Sequence, residues 1–70
     1  MSLLDAKIEK VYKVKAINTN DEELNAFLFT LGCYSGEPIT VISRLKNSCV
    51  IAIKDARYFI DKHLASAIMI

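Results

Sequence analysis

Polar and apolar positions alternate along KVYKVKAIN, residues 10–18: Tyr12, Val14 and Ala16 share one side, and Lys13 and Lys15 the other. This period of two predicts a half-buried strand over 11–17, with a bulge between Val14 and Ile17 where the phase slips by one. From Asn20 the period changes. Leu24, Phe27, Leu28 and Leu31 recur at i, i+3, i+4 and i+7, a single apolar stripe on a helix. Asn20 and Glu23 have capping-box spacing, and Asp21, Glu22 and Glu23 put negative charge where the helix dipole favours it. Gly32 stands where a left-handed residue ends a helix without a Cβ penalty. The helix is therefore expected over Asp21 to Leu31.

Beyond Gly32 the pattern is that of strands. In YSGEP, Gly36 is free to take a positive φ, and Pro38 opens a strand at a position where a missing N–H is tolerated. PITVIS and CVIAIK are β-branched runs joined by RLKNS, a hairpin signal, and RYFID is a third run. Asp61 is placed to cap a short turn over KHLAS before AIMI ends the chain as a last strand. Five short strands lie too close together for the long crossovers of a parallel sheet. The expected fold is mainly β: a small, strongly bent antiparallel barrel of about five strands, with one helix after the first.

Composition narrows the function. Seventy residues are expected to make one domain, with little room for both a core and a buried catalytic cleft. A 53% hydrophobic, 24% charged chain argues for a packed fold and against disorder. The net charge of +1 supplies no strong field for nucleic acid or anionic lipid. Two cysteines, no signal-like start and no long apolar run suggest free thiols in a reducing cytoplasm, with no insertion into a membrane.

Candidate chemistry is sparse. Cys33, Cys49, Asp61 and His63 are the possible metal ligands, but none shows ligand spacing. Both cysteines read as core residues and His63 as a surface one. No phosphate-cradling or dinucleotide motif occurs, and a lone histidine leaves nucleophilic catalysis without its usual partners. No catalytic residue, metal or cofactor is assigned. Nucleic-acid binding stays open as the alternative. Tyr12, Tyr34, Tyr58 and Phe59 are candidates to stack on bases, and Lys13, Lys15, Arg44, Lys46, Lys54 and Arg57 to meet phosphate. Their other role is to fill a small core and protect strand edges. Phe29 lies off the helix stripe, so it is either covered by a neighbouring segment or joins Tyr34 in an exposed patch that fits a protein partner.

One resemblance ties these features together. The sequence resembles the FeoA family of small cytoplasmic proteins associated with ferrous iron transport. The family pattern, L-x-x-L-G-hydrophobic-x-P-G followed by a strand and then by L-x-x-x-x-A-x-x-I-x-V, reads here as Leu28, Leu31, Gly32, Cys33 and Gly36, the strand from Ile39 to Ile42, then Ile60, Ala65, Ile68 and Ile70. Leu4, Tyr12, Val14 and Ile17 fit the family's start. Ser35 replaces the usual Pro, and Glu9 stands in a turn where the family has Gly.

The resemblance implies a non-catalytic SH3-like barrel that binds the cytoplasmic, GTPase-bearing part of the ferrous iron transporter FeoB. The same domain type also ends some metal-dependent repressors of the DtxR class. This chain lacks their winged helix, so it is not expected to bind DNA. On this reading Phe29 and Tyr34 are the partner-contacting residues, and Gly32 and Gly36 hold the turn that presents them.

Overall fold

The computed structural model describes residues 1–70. A 3-10 turn, Leu3–Asp5, is capped by Ser2, whose hydroxyl accepts the Leu4 N–H, while the Asp5 carboxylate accepts the Ser2 N–H. The chain then runs through β1 (Val11–Lys13), β2 (Ala16–Ile17), α1 (Glu22–Thr30), β3 (Pro38–Arg44), β4 (Ser48–Ile53), β5 (Ala56–Asp61), α2 (Lys62–Ala67) and β6 (Ile68–Met69). A four-stranded sheet has the order β1-β3-β4-β5, and β2 pairs with β6 in a second sheet. Every strand pair is antiparallel. Inward residues follow the period of two: Ile39 and Val41 on β3, and Cys49, Ile51 and Ile53 on β4, all lie in the core with Leu3, Val14, Leu28, Ile60, Ala65, Ile68 and Ile70.

The strand expected over 11–17 is two strands. Val14 is buried at the break; its N–H donates to the Glu37 carbonyl at 2.9 Å, and its carbonyl accepts from the Gly36 N–H at 2.7 Å. One residue later, the Lys15 N–H donates to the Met69 carbonyl. The chain changes partner here, from β3 to β6. The phase slip toward Ile17 is thus a barrel corner where one segment leaves one sheet for the other, which makes six strands instead of five.

Two details of α1 also differ from expectation. Its N-cap is Asp21, not Asn20: one Asp21 carboxylate oxygen accepts the N–H groups of Glu23 and Leu24 at 3.0 and 3.2 Å. A carboxylate at this position satisfies two orphan donors and meets the dipole with a full charge, which the Asn20 amide lacks. Phe27 is 48% exposed, so the buried row is Leu24, Leu28 and Leu31 alone, with only Leu28 fully covered. A nine-residue helix laid on a barrel by one ridge leaves the positions on both flanks of that ridge in solvent.

Glu9 has φ +65°, a left-handed conformation that costs a side-chain-bearing residue about 1–2 kcal/mol. Its N–H donates to the Val41 carbonyl at 2.8 Å, so the ladder holds the turn in place. Glu9→Gly should relieve that strain, less the entropy glycine adds to the unfolded chain, for a net gain of about 0.5 kcal/mol. Urea unfolding checks this, and a loss of stability would show that the Glu9 side chain holds the turn.

Candidate functional site

Leu28 fixes α1 against the barrel, and the helix end then sets the site. The Cys33 N–H returns to the Leu28 carbonyl at 2.9 Å and the Gly32 N–H to the Phe29 carbonyl at 3.0 Å, the paired bonds of a Schellman stop. Gly32 takes φ +88°. A Cβ on Gly32 would lie 3.2 Å from Lys54 Cε, so the bare backbone also leaves room for the lysine stem. Gly36, at φ +93°, has open space around it and is needed for its conformation alone.

This stop turns Tyr34 back toward the helix. Phe29, 65% exposed, and Tyr34 lie with ring centroids 5.1 Å apart and planes tilted by 37°. Lys54, in the turn between β4 and β5, donates to the Tyr34 hydroxyl at 2.8 Å, while its Nζ is 5.1 Å from the ring centroid. The ammonium therefore sits beyond the hydroxyl edge, and the hydrogen bond is the contact that locks the ring. That bond, and next the Glu37 carboxylate, raise the Lys54 pKa. Phe29, Leu31, Tyr34, Ile53, Ala56 and Tyr58 line an open groove of about 510 Å³, with Lys54 at its lip.

Phe29 and Tyr34, the two residues singled out from the sequence, are thus brought into contact, and Gly32 and Gly36 form the turn between α1 and β3. Lys54, Ala56 and Tyr58 are the part that sequence reasoning missed. No local sequence signal places the Lys54–Asp55 turn against the Gly32 turn; the two meet only through the fold.

The other candidates are dispersed. The Tyr12 hydroxyl accepts the Lys7 N–H at 3.0 Å and its ring is half-buried, whereas Phe59 is 66% exposed on the far face of the sheet. The Arg44 guanidinium donates to the Leu3 and Ala6 carbonyls, tying the N-terminal turn to the end of β3. These aromatic and basic groups form no common stacking platform.

Cys33 and Cys49 are buried, free thiols, as their core reading requires. Burial pushes the Cys33 pKa up to about 11, and raises that of Cys49 against the opposing pull of Arg44. Thiols held in the neutral form are poor nucleophiles and poor ligands. No three His, Cys, Asp or Glu side chains come together as a metal-holding group. No helix is long and apolar enough to cross a membrane.

A sequence profile of the FeoA domain matches residues 1–70. The chain belongs to the FeoA family. FeoA domains are implicated in ferrous iron transport. Three solved structures share the fold. A manganese-dependent transcriptional repressor superposes with a TM-score of 0.88 at 18% identity; the match covers 97% of this chain and 39% of the repressor. The Stenotrophomonas maltophilia FeoA, complexed with zinc, gives a TM-score of 0.87 at 14% identity, covering 99% of this chain and 87% of that one. It is described as an SH3 domain protein and a suggested bacterial ferrous iron transport activating factor. An iron uptake regulatory protein, also a FeoA, gives 0.84 at 18% identity over 99% of this chain and 92% of its own. No match was found among curated protein sequences.

The FeoA match confirms the family read from the Leu-Gly turn and the terminal Ala-x-x-Ile-x-Ile, and the mainly β SH3-like fold.

Proposed function

We propose that this FeoA chain is a non-catalytic cytoplasmic accessory domain that binds the GTPase-bearing region of a FeoB-type ferrous iron transporter. The observation that carries the reading is the groove at the end of α1. Phe29 is exposed there although the helix has a core-facing row to hide apolar groups in, and Tyr34 is held beside it by Lys54. A rigid aromatic pair on an apolar groove is the kind of anchor that dominates protein interfaces. Membership in a family implicated in ferrous iron transport supports a partner within that transport system.

A net charge of +1 gives little steering, so affinity should change little between low and moderate salt. Fluorescence anisotropy against the labelled cytosolic region of the transporter tests this. Phe29→Ala and Tyr34→Ala should each weaken binding about tenfold or more. Labelled single-stranded RNA is the control, because a nucleic-acid binder loses affinity steeply as salt rises. Salt-sensitive RNA binding without transporter binding would overturn the reading in favour of a nucleic-acid module. Transporter binding indifferent to both substitutions would move the contact surface elsewhere on the domain.

A further inference from the structure

Strand β5 is an edge of the four-stranded sheet and is paired on one side only, by β4. Its hairpin turns in two residues, Lys54 and Asp55, between the opposed Ile53 and Ala56. A two-residue hairpin makes its closing pair a hydrogen-bonded one, so Ala56, Tyr58 and Ile60 direct their backbone groups at β4. Those of Arg57 and Phe59 point the other way. No backbone group beyond that ladder, and no side chain, bonds them.

Edges of this kind are usually blunted by a proline, a bulge or charged side chains. β5 has no proline or bulge, its register with β4 is unbroken from Ser48↔Asp61 to Ile53↔Ala56, and the charges it carries, Arg57 and Asp61, are of opposite sign. Its outward side chains are Arg57, Phe59 and Asp61, all exposed. The charges are arranged symmetrically: a cation two residues before Phe59 and an anion two residues after.

We propose that β5 is a self-pairing edge through which two copies of this chain join as a two-fold dimer, with Phe59 opposite Phe59 of the second copy. In that register each Arg57 lies opposite the other copy's Asp61, on the outer face of one continuous sheet. The backbone groups of Arg57 and Phe59 face outward in this register, while the Asp61 carbonyl serves the first turn of α2 as its N-cap, so the ladder centres on the Phe59 pair and the charges meet at its two ends. Pairing Arg57 against Arg57 opposes like charges instead, which destabilises a cross-strand pair. Asp61 caps α2 through Oδ1, which accepts the Leu64 N–H at 2.7 Å, and this leaves Oδ2 for the guanidinium. The contact is isologous and closes on itself, so it ends at two copies rather than growing into a fibre.

Sedimentation velocity of the full chain over rising concentration, with amide hydrogen exchange followed by NMR, tests the proposal. The expected result is a shift from one chain to two, with the Arg57 and Phe59 amides slowing in step. Arg57→Glu places carboxylates opposite Asp61 in both pairs and should weaken the dimer at least about tenfold, leaving the monomer's melting unchanged. N-methylation of the Phe59 backbone, introduced by chemical ligation at Cys49, removes one outward donor without touching the β4 ladder and should abolish dimerisation. A chain that stays monomeric at millimolar concentration would overturn the proposal. So would a dimer in which the Arg57 and Phe59 amides exchange as in the monomer, or one that survives N-methylation.

Discussion

Leu28→Ala should destabilise the protein by about 2–5 kcal/mol, the range for a large-to-small change at a closed core site. Leu28 is 0% exposed and is the one residue of α1 that is fully buried, so no second side chain of the helix can take over its contact. Its carbonyl also receives the Cys33 N–H, and both side chains belong to the buried core. A chain of this length has a total stability of about 4–10 kcal/mol, so the substitution removes a large share of it. Urea unfolding should show a lower midpoint with little change in slope. A shift of only a few tenths of a kcal/mol would mean that another row of α1 carries the helix. Because α1 also positions Phe29, partner binding should fail together with the fold.

The second large effect is a loss of stability at alkaline pH through Cys33. The folded chain holds this thiol with a pKa raised from 9.0 to about 11, because burial disfavours the thiolate. Below pH 9 the thiol is neutral in both states and costs nothing. Between pH 9 and 11 the unfolded chain releases its proton while the folded chain keeps it, so unfolding is favoured progressively. Above pH 11 both states ionise and the loss levels off at about 2–3 kcal/mol. The difference between wild type and Cys33→Ala isolates the contribution of this thiol from everything else that changes at alkaline pH. Chemical denaturation at pH 8, 9, 10 and 11 should show wild type falling more steeply than the variant. Parallel curves would show that the Cys33 site admits water and carries no such penalty.

Much of this protein was legible from local pattern. The change of period at residue 20, the row Leu24, Leu28 and Leu31, and the left-handed glycines at 32 and 36 are consequences of backbone sterics and of one apolar face, both written in short windows of sequence. The same holds for the β3–β4 hairpin, the Asp61 cap of α2 and the burial of both cysteines. The family pattern extends over these same positions, which is why it was recognisable at low identity.

Other features depended on what each segment meets in space. Alternation at 11–17 shows which side chains face inward, but not which strand lies alongside; only the barrel's closure sends Val11–Lys13 to β3 and Ala16–Ile17 to β6. Helical spacing assigned Phe27 to the stripe, yet a helix resting on one ridge leaves it in solvent. Glu9 accepts a left-handed φ because its N–H is claimed by Val41, a residue 32 positions later in the chain. The site itself joins Phe29 and Tyr34, placed by a local helix stop, to Lys54 and Tyr58 from the far hairpin. Sequence determined the elements and the turns, because those follow from interactions within a few residues. Tertiary structure alone decided the site's outer half and the open edge of β5, since both depend on which distant strands find each other and which are left unpaired.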